Sequence, residues 1–293
     1  VLSTFIILWL ATTLAFIGLR IIPGNAIEAQ LLQSGADETV IQHRREALGL
    51  DLPIGIQYGQ YLVNVLHGDF GYSLISGQPV SKLIADQLTP TLSLAVPAWF
   101  LSSVLGIGLG VLGGIESRPV LRQLAQTVTT LTLSTPIYWS GTLLIFASGS
   151  LLSSSSMLPN WLLPAILLGL HTSGAVARIV QATMQSTYQA DFVRTARAKG
   201  LSEKTIIWRH ILRVSLIPAV PTIGLQLGFL LGGAVITESL FARPGLGQLL
   251  LTSTLQQDYP VVQGLVILSA GVYAFVNGAA STVSQWLDPR IRP

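Results

Sequence analysis

Two features of this chain have residue types and spacings that suggest chemistry. The first is "GIGLGVLGG" at 106–114, which places Gly108, Gly110 and Gly113 at the spacing of a dinucleotide-binding turn. Such a turn must follow a strand and open a helix, with an acid about 20 residues further on. Here the string lies inside a long apolar run, where small residues instead let membrane helices pack closely. No Walker lysine motif, Ser/His/Asp set or HExxH string accompanies it, so neither a P-loop ATP site nor an intramembrane enzyme is indicated. With no cysteine there is no disulfide framework, thiolate metal site or cysteine nucleophile, and the redox compartment stays open. His171 falls at mid-run; one histidine is too few for a metal site and suits a helix-packing hydrogen bond. The second feature is "DFVRTARAKGLSEKTIIWRHILR", Asp191 to Arg213, the most charged stretch of an otherwise oily chain.

The elements that must position these residues are membrane helices. Of 293 residues, 50% are hydrophobic and only 10% charged, and the mean hydropathy is +0.62, against roughly 25% charged in a soluble globular chain. The net charge of +3 accumulates beside apolar runs, so membrane topology explains it better than nucleic acid does. Runs of ~20 or more apolar residues predict six spans at 1–22, 88–115, 123–150, 161–182, 214–238 and 261–287. The first is too long for a signal-peptide core and reads as a retained anchor; because the chain opens at Val1, a short cytoplasmic head is expected ahead of it. Cations gather in the 116–122 loop (Arg118, Arg122), the 183–213 loop and the tail (Arg290, Arg292), whereas the 23–87 loop holds more acids than bases. The positive-inside rule then puts both termini in the cytoplasm. Within 23–87, Pro23-Gly24-Asn25 reads as a turn and 37–48 as a helix capped by Asp37 and ended by Gly49. Ile54, Tyr58, Leu62 and Val65 recur at helical spacing, giving an amphipathic helix on the outer face. The expected organisation is one transmembrane domain, 1–293: the first span, an extracytoplasmic helical cap at 23–87, and a five-span core at 88–293.

Within the charged loop, Asp191 to Lys199 is helical, with Asp191 at the positive end of the helix dipole and Arg197 and Lys199 at the negative end. Gly200 stops that helix and Ser202 caps a second. Phe192, Ala196 and Lys199/Gly200 are expected on one face, whose small side chains would admit a partner's backbone. On the second helix Ile207, Ile211 and Val214 form an apolar stripe, with Arg209 and Arg213 near the lipid headgroups. A basic interfacial loop that satisfies topology is the plain alternative, and it leaves the small-residue face unexplained.

At these residues the chain resembles the permease subunits of ABC importers, in which a cytoplasmic "EAA" loop carries an alanine, a glycine four residues later and a following helix. Arg194-Thr195-Ala196 stands where Glu-Ala-Ala stands in that motif, Gly200 is the loop glycine, and His210-Ile211-Leu212-Arg213 replaces Ile-x-Leu-Pro. Those departures resemble the oligopeptide/dipeptide/nickel branch, as do "PGN", "LGLDLPIGIQY", "GDFGYS", "PTLSL", "ESLFARPGLGQLL", "QDYPVVQG" and the terminal "DPRIR", in order along nearly the whole chain. The resemblance implies an all-α, six-span type I importer permease of a prokaryotic inner membrane, the first of two related permeases. Implied partners are a second homologous permease, two ATPases carrying ATP and Mg, and an extracytoplasmic binding protein; the chain itself would bind no cofactor or metal and hydrolyse nothing. It further implies that Asp191, Phe192, Arg194, Ala196, Arg197, Ala198, Lys199, Gly200 and Leu201 couple to an ATPase, and that Pro244, Gly245 and Gly247 meet the binding protein. His171, Gln226 and Asn277 are pathway candidates, and the solute would be a peptide or a nickel-like metal chelate. An ion-coupled secondary transporter is the rival, suited by the helix breakers Pro97, Pro136, Pro218 and Pro221 but lacking mid-membrane carboxylates. A structural subunit without a path is a third reading, disfavoured by Gln226 and Asn277 in apolar runs.

Overall fold

The computed structural model describes residues 2–21, 52–115, 118–151 and 159–287, and every regular element among them is helical. The turn at 23–25, the helix expected over 37–48 and the tail with Arg290 and Arg292 lie outside the described residues. In chain order the helices are α1 (Leu2–Ile21), α2 (Ile54–Leu66), α3 (Val80–Gly114), α4 (Pro119–Ser134), α5 (Ile137–Leu151) and α6 (Leu162–Tyr188). They continue with α7 (Asp191–Ala198), α8 (Glu203–Leu216), α9 (Ala219–Gly233), α10 (Val235–Leu240), α11 (Leu246–Leu255) and α12 (Tyr259–Leu287).

Length and composition single out α3, α6 and α12 as bilayer-crossing among the described residues, with α8 and α9 a fourth span if that pair, bent by 53°, is counted as one. Two of the six expected spans are therefore discontinuous. The run at 123–150 breaks at Thr135-Pro136, where Thr135 is extended (φ −86°, ψ 124°) because the following proline ring disfavours the helical conformation. The run at 214–238 breaks twice, after Leu216 near Pro218 and again at Ala234. Proline alone does not decide this, since α3 runs unbroken through Pro90 and Pro97.

The chain forms two compact units. One comprises 1–90 with 244–274. Its core joins Val80 and Ile84 at the start of α3 to Leu246 of α11 and to Val261 and Leu265 of α12. Gly264 permits that contact, because a methyl there would stand 2.7 Å from Val80 Cγ1. Asp258, 3% exposed, accepts hydrogen bonds from Ser73 Oγ and, at 3.0 Å, from the Leu74 N–H. In this way "GDFGYS" and "QDYP", far apart in sequence, close on one buried carboxylate. The helix α2 lies on α1 through a Thr13–Tyr58 hydroxyl pair at 2.6 Å and the Phe16–Tyr58 edge contact. Tyr58, Leu62 and Val65 are half-buried as their spacing predicts, but Ile54 is 66% exposed.

The other unit comprises 91–243 with 275–293. Its centre is the α3–α6 contact, where glycines replace side chains along one helix face. A methyl at Gly106 would stand 2.7 Å from Val176 Cβ, and one at Gly110 would stand 2.5 Å from Val180 Cβ. Gly113 and Gly114 meet Gln181 and Met184 in the same way, while Gly108 faces open space. The packing reading of the glycine string therefore holds at Gly110 and Gly113, with Gly106 rather than Gly108 completing the stripe. Gln181 Nε2 donates to Thr129 Oγ1 at 2.9 Å, and Gln126 of α4 donates to the Gly113 carbonyl at 3.1 Å, so polar clamps supplement the close approach.

Candidate functional site

The charged loop folds as two helices meeting at a glycine. Gly200 N–H donates to Arg197 O at 2.9 Å and Leu201 N–H to Ala196 O at 3.3 Å, the bond pair of a Schellman turn. Gly200 sits at φ +75°, and a methyl there would touch nothing within 4 Å. Glycine is thus required by the backbone angle and not by any close approach inside the chain. Ser202 Oγ then accepts from Thr205 N–H at 3.3 Å and starts α8.

The faces of these helices differ from those expected. On α7 the buried pair is Val193 (0% exposed) and Ala196 (7%), which join the core cluster containing Val180, Met184, Ile206 and Ile211. Ala196 is therefore withdrawn as a partner-facing residue: its small side chain lets α7 approach this chain's own core. Exposed instead are Asp191, Phe192, Arg194, Ala198, Lys199, Gly200 and Leu201. Arg197 is also exposed but engaged: Nε donates to Glu203 Oε1 at 2.8 Å, and the guanidinium carbon lies 5.9 Å from the centre of the Tyr188 ring. One guanidinium thus ties the end of α6 to both loop helices, a cation–π contact adding to an ion pair.

In α8 the residues Ile206–Ile211 form a π turn, and Leu212 N–H bonds Ile207 O five residues back. The wider turn shifts all later residues around the axis. Ile206, Ile207, Ile211, Leu212 and Ser215 are buried, whereas Val214 is 41% exposed and leaves the stripe predicted for it. Ile207 and Ile211 face the protein core, so they are not the membrane-facing side.

The pathway candidates separate. Gln226, 9% exposed, is occupied at both ends: Nε2 donates to Thr172 O at 2.6 Å, and Oε1 accepts from Ser102 Oγ at 3.1 Å. That geometry clamps α9 to α3 and α6, and it removes Gln226 from the candidate pathway. His171 of α6 and Asn277 of α12 are half-buried. Of the residues expected to meet a binding protein, Pro244 is exposed, while Gly245 and Gly247 are buried and offer no surface. Among the described residues no three His, Asp or Glu side chains gather in a way that would hold a metal.

A polar cluster escaped the sequence reading. Glu238 of α10 is fully buried, and its Oε1 accepts from Thr91 Oγ1 at 2.8 Å. Arg243 Nη2 donates to Ser93 Oγ at 2.6 Å, and the Arg243 backbone N–H donates to Glu238 O at 2.8 Å. Burial lowers the pKa of the Arg243 guanidinium, and the Glu238 carboxylate opposes that shift. Both residues lie in "ESLFARPGLGQLL", but Thr91 and Ser93 are too distant in sequence for spacing to reveal them.

Residues 106–293 match the family described as binding-protein-dependent transport system inner membrane component, and residues 1–95 match its N-terminal counterpart. The glutathione transport system permease protein GsiC of Escherichia coli is 33% identical over 291 residues, covering 97% of this chain and 94% of that protein. The GsiC protein of Salmonella typhimurium matches to the same extent, 33% over 291 residues. Among solved structures, an inward-facing MetNI methionine ABC transporter chain superposes with a TM-score of 0.59 at 18% identity, over 70% of this chain and 96% of that one. An amino acid ABC transporter chain gives 0.52 at 17% identity, over 72% and 95%. At those identities the likeness shows the fold.

Proposed function

The chain belongs to the binding-protein-dependent transport system inner membrane components, as a multi-pass permease subunit of an ABC importer, and from that premise we propose how it couples and what it carries. It forms half of a translocation path with a second, homologous permease, and two ATPases and an extracytoplasmic binding protein complete the assembly. The solute is a small peptide of the glutathione class. The observation that supports this most is the 33% identity to GsiC, sustained over 97% of the chain.

The coupling surface is the exposed side of α7 and its turn. Phe192 (44% exposed) and Leu201 (40%) are its apolar anchors, with Asp191, Arg194, Ala198 and Lys199 around them. Val193 and Ala196 anchor the same helix to the core beneath, so a displacement of α7 reaches α6 and α8 as a rigid-body movement of packed side chains. Both termini lie on the cytoplasmic side with this loop. His171 and Asn277 line the path, and Pro244 lies on the face that meets the binding protein.

The test is reconstitution of the complex, purified through a tag on this chain, into liposomes with all ion gradients collapsed. Binding-protein-dependent uptake of labelled glutathione should require ATP on the coupling-loop side and stop when hydrolysis is blocked. Uptake driven by a proton or sodium gradient without nucleotide would overturn the reading.

A further inference from the structure

The side of α8 turned away from the core carries Lys204, Trp208, Arg209 and Arg213, all exposed, with Trp208 60% exposed and Val214 beside them at 41%. The opposite side is fully committed, with Ile206 and Ile211 at 0% exposure in the core cluster. The helix α8 meets the apolar helix α9 at 53°, so it is an arm set at an angle to the segment that enters the bilayer. Glu203, the acid of α8, is held by Arg197 at 2.8 Å, which leaves three cations on the outward side with no acid of their own helix facing them.

We propose that this outward face of α8 binds the anionic phospholipid headgroups of the cytoplasmic leaflet, with Trp208 at headgroup depth and Lys204, Arg209 and Arg213 on the phosphates. Tryptophan favours that depth because its ring is apolar and its N–H polar, and cations beside an anionic leaflet are attracted over about a Debye length. The π turn makes the arrangement possible: it rotates Ile211 and Leu212 inward and leaves Trp208 and the arginines together outside. The proposal rests on the cytoplasmic assignment of the loop and adds a lipid contact to it.

The chain contains no cysteine, so in a complex whose partner subunits have had their cysteines replaced, Trp208→Cys can carry a single environment-sensitive fluorophore; Lys204→Cys serves if that variant fails to assemble. The complex is placed in mixed phosphatidylcholine and phosphatidylglycerol vesicles, with bromine on the acyl chains of one lipid or the other. Brominated phosphatidylglycerol should quench about three-fold more than brominated phosphatidylcholine at equal mole fraction. The excess should disappear in high salt and in the Arg209→Gln/Arg213→Gln variant. Equal quenching by the two lipids, or none because a protein partner covers the site, overturns the proposal. A label at Phe192→Cys separates the two readings: quenching there contradicts the ATPase-facing assignment of α7 and leaves the lipid face of α8 intact.

Discussion

Two helix ends in the same unit close with the same backbone pattern and different residues. After α7, Gly200 and Leu201 donate back to Arg197 and Ala196; after α10, Ala242 and Arg243 donate back to Ser239 and Glu238, at 3.1 and 2.8 Å. The first turn uses glycine at φ +75°, and the second holds an alanine at φ +47°, a conformation costing an L-residue about 1–2 kcal/mol. What differs is the surroundings. Beyond buried Ala196, the residues around Gly200 from Arg197 to Ser202 are exposed, and nothing lies within 4 Å of where a methyl on Gly200 would stand. Around Ala242 the neighbouring Glu238 is fully buried, and Arg243 reaches Ser93. A left-handed alanine persists where buried polar contacts fix the backbone on both sides, and an exposed loop needs the glycine itself.

The largest effect should come from removing those contacts. Glu238→Ala leaves the buried Thr91 Oγ1 without its acceptor and the half-buried Arg243 without its counter-charge, at a cost of about 2–3 kcal/mol. The thermal midpoint of the purified complex should fall sharply, and Glu238→Gln should recover part of the loss. An unchanged midpoint in Glu238→Ala would break the comparison at its stronger side.

Exchanging the turn residues comes next. Gly200→Ala should weaken the loop by about 1–2 kcal/mol and reduce co-purification of the ATPase, with Gly200→Asn milder because asparagine tolerates this conformation. Ala242→Gly should be neutral or stabilising by less than about 1 kcal/mol, since relief of strain is offset by unfolded-state entropy. A gain at Ala242→Gly as large as the loss at Gly200→Ala would show that the surroundings do not matter.

The smallest effect concerns Arg197, whose ion pair is solvent-exposed. Arg197→Gln should cost no more than about 1 kcal/mol and leave the ATPase bound, while lowering solute moved per ATP hydrolysed because α7 is less firmly tied to Tyr188 and Glu203. Complete loss of the ATPase would mean that Arg197 contacts the partner directly.

Local features were largely legible in the sequence. The stop at Gly200, the cap at Ser202 and the packing role of Gly110 and Gly113 all follow from residue type and spacing. The break at Thr135-Pro136 also has a local cause, yet an apolar run counted by length passes straight over it. Three features depend on tertiary contacts or an irregular turn. The inward face of Ala196 is set by the core under α7, and Val214 is displaced by a π turn that no 3.6-residue period predicts. Gln226, polar in an apolar run, suggested a path because neither Ser102 nor the Thr172 carbonyl can be paired with it from spacing. The junctions of Glu238 with Thr91 and of Asp258 with Ser73 were hidden for the same reason, although each motif was visible alone.

The central claim, that the exposed side of α7 seats an ATPase, is most directly tested by thiol crosslinking in the assembled complex. Single cysteines at Phe192 and Leu201 should each form an adduct with the ATPase, with yields that change between nucleotide-free and ATP-bound states, while a cysteine at buried Val193 should form none. An intact complex in which neither Phe192→Cys nor Leu201→Cys reaches the ATPase would contradict the account.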